Sequence, residues 1–164
     1  MDQNLTPGGA SPAARPPLGR NSARLDDKGR LKLPAEVHRF FDSFPEKRLF
    51  VTSLDGMIAQ LYPLSVWLAN EELLQEYTDD PEALSDYMFN AHDMGSEADM
   101  DGQGRVTINS ELRNELKLVG TELHLIPYKG HIQVIPDAMY QERRQAARSR
   151  AAQAITKMEK AGAK

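Results

Sequence analysis

Arg30 and Arg105 occupy the same place in a phrase that this chain writes twice. Asp26-Asp27-Lys28-Gly29-Arg30 and Asp101-Gly102-Gln103-Gly104-Arg105 share the pattern Asp-x-x-Gly-Arg at an offset of 75 residues. Each Arg follows a glycine and opens an apolar-polar-apolar strand, Leu31-Lys32-Leu33 in the first copy and Val106-Thr107-Ile108 in the second. Gly29 suits the positive φ of a hairpin turn, where a side chain would clash, and Gly104 holds the equivalent position. A guanidinium held out from a rigid turn presents its fork to a phosphate oxygen or to the O6/N7 edge of guanine. Lys28, Lys32 and Arg24 add charge to the first copy, while the second has Gln103 and Thr107 in place of two of these. The first copy should therefore supply more of any salt-dependent phosphate affinity. Asp26 and Asp101 allow a structural account as well, in which they pair with Arg30 and Arg105 to fix the turns. Such pairing is compatible with phosphate contact.

No other set of residues assembles a reaction. His38, His92, His124 and His131 are the four histidines, and none has a short metal-ligand spacing to another. Asp26-Asp27 and Asp79-Asp80 are paired carboxylates in turn-like contexts without a nucleophile or base beside them. The reading is a non-enzyme with no catalytic residue, no metal and no cofactor. Arg143, Arg144, Arg148 and Arg150 lie on an expected C-terminal helix, which suits either a phosphate backbone or a subunit contact.

Charge placement is more informative than the net charge of −4. No Lys or Arg occurs from Leu49 through Gly104, while twelve Asp and Glu fall between Asp55 and Asp101. Basic residues gather around the first motif, at Arg105 and Arg113, and in the tail from Arg143 to Lys164. A basic face on an acidic protein can still steer a polyanion, because the local field decides. Cysteine is absent, which excludes disulfides and thiolate chemistry. No apolar run approaches the roughly 20 residues that cross a bilayer, and the N-terminus lacks an apolar signal core, so a soluble intracellular protein is expected.

The repeat organises the elements. Each copy reads as strand, motif turn, strand, helix and two further strands: around Ala23–Leu25, Arg30–Leu33, Ala35–Phe41, Leu49–Ser53 and Met57–Tyr62, with a helix at Ser65–Leu74. The second copy has a strand before Asp101, then Arg105–Ile108, a helix Ser110–Leu116 capped by Asn109, and strands Glu122–Ile126 and His131–Ile135. Gln60-Leu61-Tyr62-Pro63 matches Gln133-Val134-Ile135-Pro136, and Trp67 matches Tyr140. The acidic stretch between the copies has the apolar spacing of amphipathic helices, the second beginning at Pro81. One last helix is expected from Pro136-Asp137 to about Met158. Units of about 50 residues are too small to be stable alone, so the copies should share a core or depend on other subunits.

The paired motif, Leu25 to Glu36 and Asp101 to Ile108, resembles the MraZ family. Leu61-Tyr62-Pro63-Leu64-Ser65-Val66-Trp67 and Glu111-Leu112-Arg113 are similar to the segments that follow its motifs, and the resemblance covers roughly Asn21 to Tyr140. It implies an α+β, β-rich fold of tandem AbrB-like swapped-hairpin modules forming a pseudo-two-fold barrel flanked by helices. The implied division is a disordered leader (1–20), a first module (21–68), an acidic helical linker (69–96), a second module (97–140) and a basic C-terminal helix or tail (141–164). The implied function is a sequence-specific transcriptional regulator, expected to be a repressor of the bacterial division and cell-wall gene cluster. It would bind double-stranded DNA with direct repeats as a homo-oligomeric ring, in the cytoplasm and on the nucleoid, without membrane partners. The family's DNA-contacting arginine carries over to Arg30 and Arg105, with Lys28, Arg24 and Lys32 around the first and Asp26, Gly29, Asp101 and Gly104 shaping the turns. The alternatives are an antitoxin-like interaction scaffold, with the acidic linker as its working surface, and a non-specific nucleoid-associated protein.

Overall fold

A computed structural model describes residues 15–164 as an α+β protein built on one six-stranded antiparallel sheet and one two-stranded ribbon. The elements in chain order are β1 (Asn21–Ala23), β2 (Arg30–Lys32), α1 (Ala35–Asp42), β3 (Arg48–Thr52), β4 (Ala59–Pro63), α2 (Leu64–Leu74) and α3 (Pro81–Asp93), then β5 (Ser96–Asp99), β6 (Arg105–Thr107), α4 (Ser110–Glu115), β7 (Leu123–Tyr128), β8 (His131–Pro136), α5 (Asp137–Ser149) and α6 (Ala151–Lys160). The expected element order is therefore present. Of the expected leader, residues 1–14 lie outside the described residues. At its end Pro16 is buried, and Arg20 reaches His124 (3.0 Å) and the Tyr140 ring.

Strand pairing departs from the simple hairpins expected at the motifs. Across the first turn β1 and β2 do not form a ladder; the turn is closed by the bridge Leu25↔Leu31 and by the Asp26 N–H donating to the Arg30 carbonyl at 2.9 Å. Instead β1 pairs with β7 and β5 pairs with β3, so the first strand of each copy lies on the hairpin of the other. β2 pairs with β6 to make the ribbon, with Leu31 opposite Val106. The six-stranded order is β1-β7-β8-β4-β3-β5, and its centre joins β4 to β8 with Gln60 opposite Gln133. Equivalent residues thus meet one another at both places, as an approximate two-fold relation between the copies requires. Local patterning cannot reveal this exchange, because strands of three or four residues carry too little alternation to specify a partner.

Burial explains why exchange wins. Leu31, Val37, Phe41, Leu49 and Leu61 from the first copy pack in one core with Val106, Ile108, Leu112, Leu125 and Ile132 from the second. Val37, Phe40 and Phe41 are the buried stripe of α1, and Leu112 does the same for α4. Asn109 caps α4 as expected, accepting from the Leu112 N–H at 2.8 Å. Asp80 caps α3 through the Ala83 N–H, with Pro81 in the first turn. The long terminal helix is corrected to two: the chain leaves helical geometry at Arg150 (φ −112°, ψ 13°), which separates α5 from α6.

A second cluster holds the acidic helices against the sheet. Trp67 of α2 stacks on Phe50 (4.8 Å between ring centroids) and on Tyr87 of α3 (6.2 Å). Thr52 donates to the carbonyl of Ala91 and ties α3 to the edge of β3. Beside this cluster His131 is buried against Tyr62, and burial, reinforced by the Lys129 charge, lowers its pKa to about 4. Between the ordinary value of 6.5 and about 4 the unfolded chain binds a proton that the folded chain does not, so stability falls as the pH falls through that window. Urea unfolding at pH 7 and pH 4.5 should show the wild type losing about 2 kcal/mol more than His131→Phe, which keeps the ring and removes the titration.

Candidate nucleic-acid interface

The ribbon β2–β6 is two-faced because side chains alternate along a strand. Leu31 and Val106 point inward and are fully buried, while Arg30, Lys32, Arg105 and Thr107 share the outer face. The register sets Arg30 opposite Thr107 and Lys32 opposite Arg105. Three cations from two copies separated by 75 residues are thereby gathered on one short ribbon.

Each turn is built by its aspartate. Asp26 Oδ1 accepts from the backbone N–H groups of Lys28 and Arg30, both at 2.9 Å, and its Oδ2 accepts from Arg30 Nε at 2.8 Å. Asp101 repeats this with Gln103 and Arg105, both at 2.9 Å, and with Arg105 Nε at 2.7 Å. Foremost among the causes, the backbone bond from Arg105 holds the Asp101 carboxyl well down, at about 2, and the corresponding bond from Arg30 lowers Asp26. The carboxylates grip the inner edge of each guanidinium only. The terminal Nη atoms of Arg30 and Arg105 make no hydrogen bond among the described residues, and both side chains remain partly exposed. Turn fixing and an available fork therefore coexist in the same residue.

The glycines serve the turn twice over. Gly29 and Gly104 have φ of 77° and 78°, and their carbonyls accept from Ile108 and Leu33 N–H at 2.9 Å, locking the two turns to each other's strands. Behind each glycine packs a side chain from the other copy's helix: Arg113 of α4 under Gly29 and His38 of α1 under Gly104. A methyl at Gly104 would lie 2.6 Å from His38 Nδ1. Gly104→Ala should therefore cost about 1–3 kcal/mol, read as a lowered urea midpoint at unchanged slope. His38 and Arg113 stand at the same 75-residue offset as the motifs, a signal in the sequence whose meaning as turn support needed the packing.

The remaining expected residues are placed differently. Lys28 is exposed at the tip of the first turn, next to the ribbon. Arg24 is exposed just after β1, which belongs to the large sheet, and its charge acts on Asp137 at the start of α5. Glu122, His124 and Asp137 bring potential metal-ligating atoms within 4.8 Å of one another. His124 already bonds Arg20 at Nδ1 (3.0 Å) and Asp137 at Nε2 (2.8 Å). With Arg20 donating to Nδ1, the proton sits on Nε2, the nitrogen a cation beside the carboxylates would need, so this donor set suits a structural network better than a metal.

The chain is 35% identical over 102 residues to the transcriptional regulator MraZ of Acidobacterium capsulatum, covering 62% of this chain and 70% of that protein. It is 37% identical over 103 residues to the transcriptional regulator MraZ of Koribacter versatilis, with the same coverage. The chain belongs to the MraZ family. A more distant relative of the same name, from Prosthecochloris aestuarii, is 24% identical over 131 residues, 81% of its length. No protein-family model matches the chain. Among the described residues no helix of this MraZ-family chain is long and apolar enough to cross a membrane.

Proposed function

We propose that this chain is a sequence-specific DNA-binding transcriptional regulator that reads DNA with the outer face of β2–β6. The observation that carries the reading is the convergence of Arg30, Lys32 and Arg105 on that face, each arginine held by its inner edge with its fork unengaged among the described residues. A two-stranded ribbon fits the major groove, where an arginine fork matches guanine. Lys28 and Lys32 would contact phosphate and set register without reading sequence. The exchanged strands β1 and β5 support AbrB-like swapped-hairpin modules as the frame of this ribbon.

One ribbon per protomer gives a modest contact. Several protomers of a ring, matched to direct repeats, would gain avidity without any new type of contact. The target we propose is the promoter of the division and cell-wall gene cluster, with repression as the outcome and the nucleoid as the site of action. The test is a salt series of binding to the DNA upstream of the chain's own gene, against scrambled DNA. The two phosphate-contacting lysines of each engaged protomer, Lys28 and Lys32, should give a slope of log affinity on log salt of about −2 per protomer, with preference for the native sequence. Equal binding to both DNAs would replace the reading by nucleoid coating. The scaffold reading draws on Leu73 and Phe89, exposed on the acidic helices, and would take over if neither DNA bound.

A further inference from the structure

Among the described residues, two surfaces of the chain are unpartnered and opposite in character. From Arg143 to Lys164 there are seven Lys and Arg and one acid, Glu159. All of α6 is exposed, including Ile155 (56%) and Met158 (57%), which with Ala151 and Ala154 form one apolar stripe at i, i+3/i+4, i+7 spacing. The segment 64–93, spanning α2 and α3, has eight Asp and Glu and no Lys or Arg. Beside α2 runs a groove of about 420 Å³, walled by Val66, Leu73 and Leu74 of α2 and by Tyr128 and Gly130 at the β7–β8 turn. Leu73 is 72% exposed at its rim. The exceptions also match in sign, since the one cation on the groove wall is Lys129 and the one acid of α6 is Glu159.

We propose that α6 of one copy docks its Ile155–Met158 stripe in the α2 groove of a neighbouring copy, with the basic flanks of α6 against the acidic helices. It rests on the homo-oligomer reading above and names the surfaces that make it. The apolar stripe separates this occupant from DNA, because a phosphate backbone would leave Ile155 and Met158 in water. A helix that is basic on its flanks and apolar on one stripe suits an apolar groove bordered by acidic helices: the stripe meets the lining, and the flanking cations meet Glu71 and Glu72 of α2 and the acids of α3 outside it. Its own chain does not supply the groove: α5 starts at the far end of β8 from the β7–β8 turn, and α6 buries no residue against its own body. A contact between two different surfaces is heterologous, and it closes into a ring when the rotation between copies permits.

The chain has no cysteine, so single cysteines report contacts cleanly. Full-length Ile155→Cys and Leu73→Cys proteins, made with different masses and mixed under oxidising conditions without DNA, should yield a disulfide-linked heterodimer. A link that forms only within one chain carrying both substitutions would overturn the proposal, as would no link at all. A second variant, Ile155→Asp with Met158→Asp, changes only exposed positions and should raise the protein concentration for half-assembly about tenfold or more in sedimentation, with unchanged circular dichroism. Unchanged assembly together with a fall in promoter affinity would assign α6 to DNA instead and overturn the interface. Absent cross-linking with intact promoter binding would remove this interface and leave the regulator reading standing, whereas cross-linking without promoter binding would do the reverse.

Discussion

Arg30→Ala is expected to lower affinity for the native promoter about 100-fold or more while leaving the fold and the assembly intact. The first half of that expectation follows from what the side chain offers. One well-placed arginine fork is worth about 1–3 kcal/mol of discrimination, and the loss is repeated in every protomer that engages a repeat. The second half follows from how the turn is held. Asp26 keeps its bonds from the backbone N–H groups of Lys28 and Arg30, which do not depend on the side chain at position 30. Gly29 still accepts from Ile108, and Leu31 still faces Val106. Electrophoretic mobility shifts and sedimentation on the same preparation check both halves. Full promoter binding by the variant would remove the ribbon from the mechanism. Asp26→Asn offers a complementary comparison, since it weakens the grip on the inner edge and lets the fork wander without removing it.

The largest loss of stability is expected from Trp67→Ala, at about 3–5 kcal/mol. Trp67 is 2% exposed and touches Phe50, Tyr62 and Tyr87, so its removal leaves a cavity bounded by rings that cannot all collapse into it. That is a large share of the 5–15 kcal/mol by which domains are usually stable. Because Tyr87 lies on α3, the loss should concentrate there, with amide exchange rising first in Pro81–Asp93 and only later in the ribbon. Uniform acceleration across β2 and β6 would show instead that the two clusters unfold as one unit.

Trp67 also shows how far the repeat is legible and where it stops. Tyr140 is its match in the second copy, yet the two do different work. Trp67 is covered by α3, whereas Tyr140 stacks on His124 at 3.8 Å and carries the Arg20 guanidinium 5.1 Å from its ring centre. The helix following Trp67 returns to the sheet because a strand, β5, must follow it. Tyr140 lies within α5, whose first turn packs on the sheet, and the chain beyond it leads into α6, which is exposed throughout. Sequence equivalence marks the positions, but neighbours supplied by other segments decide what each position packs against.

Legible along the chain were the motif turns, their glycines and aspartates, the order of elements, the cap at Asn109, the helix start at Pro81, and the segregation of acidic and basic segments. These are local properties: a turn needs a positive φ and a short-range acceptor, a helix needs its cap and stripe, and both are written within a few residues. Swapped hairpins entered only through the family resemblance; residue patterning carried no sign that β1 lies on β7 and β5 on β3, that His38 and Arg113 support the opposite copy's turn, or that Arg30, Lys32 and Arg105 share a face, and tertiary contacts decided these. Strands of three or four residues do not encode their partners. Those partners are chosen by burying Leu31 against Val106 and joining β4 to β8 in one common core, a gain available only when both copies are folded together.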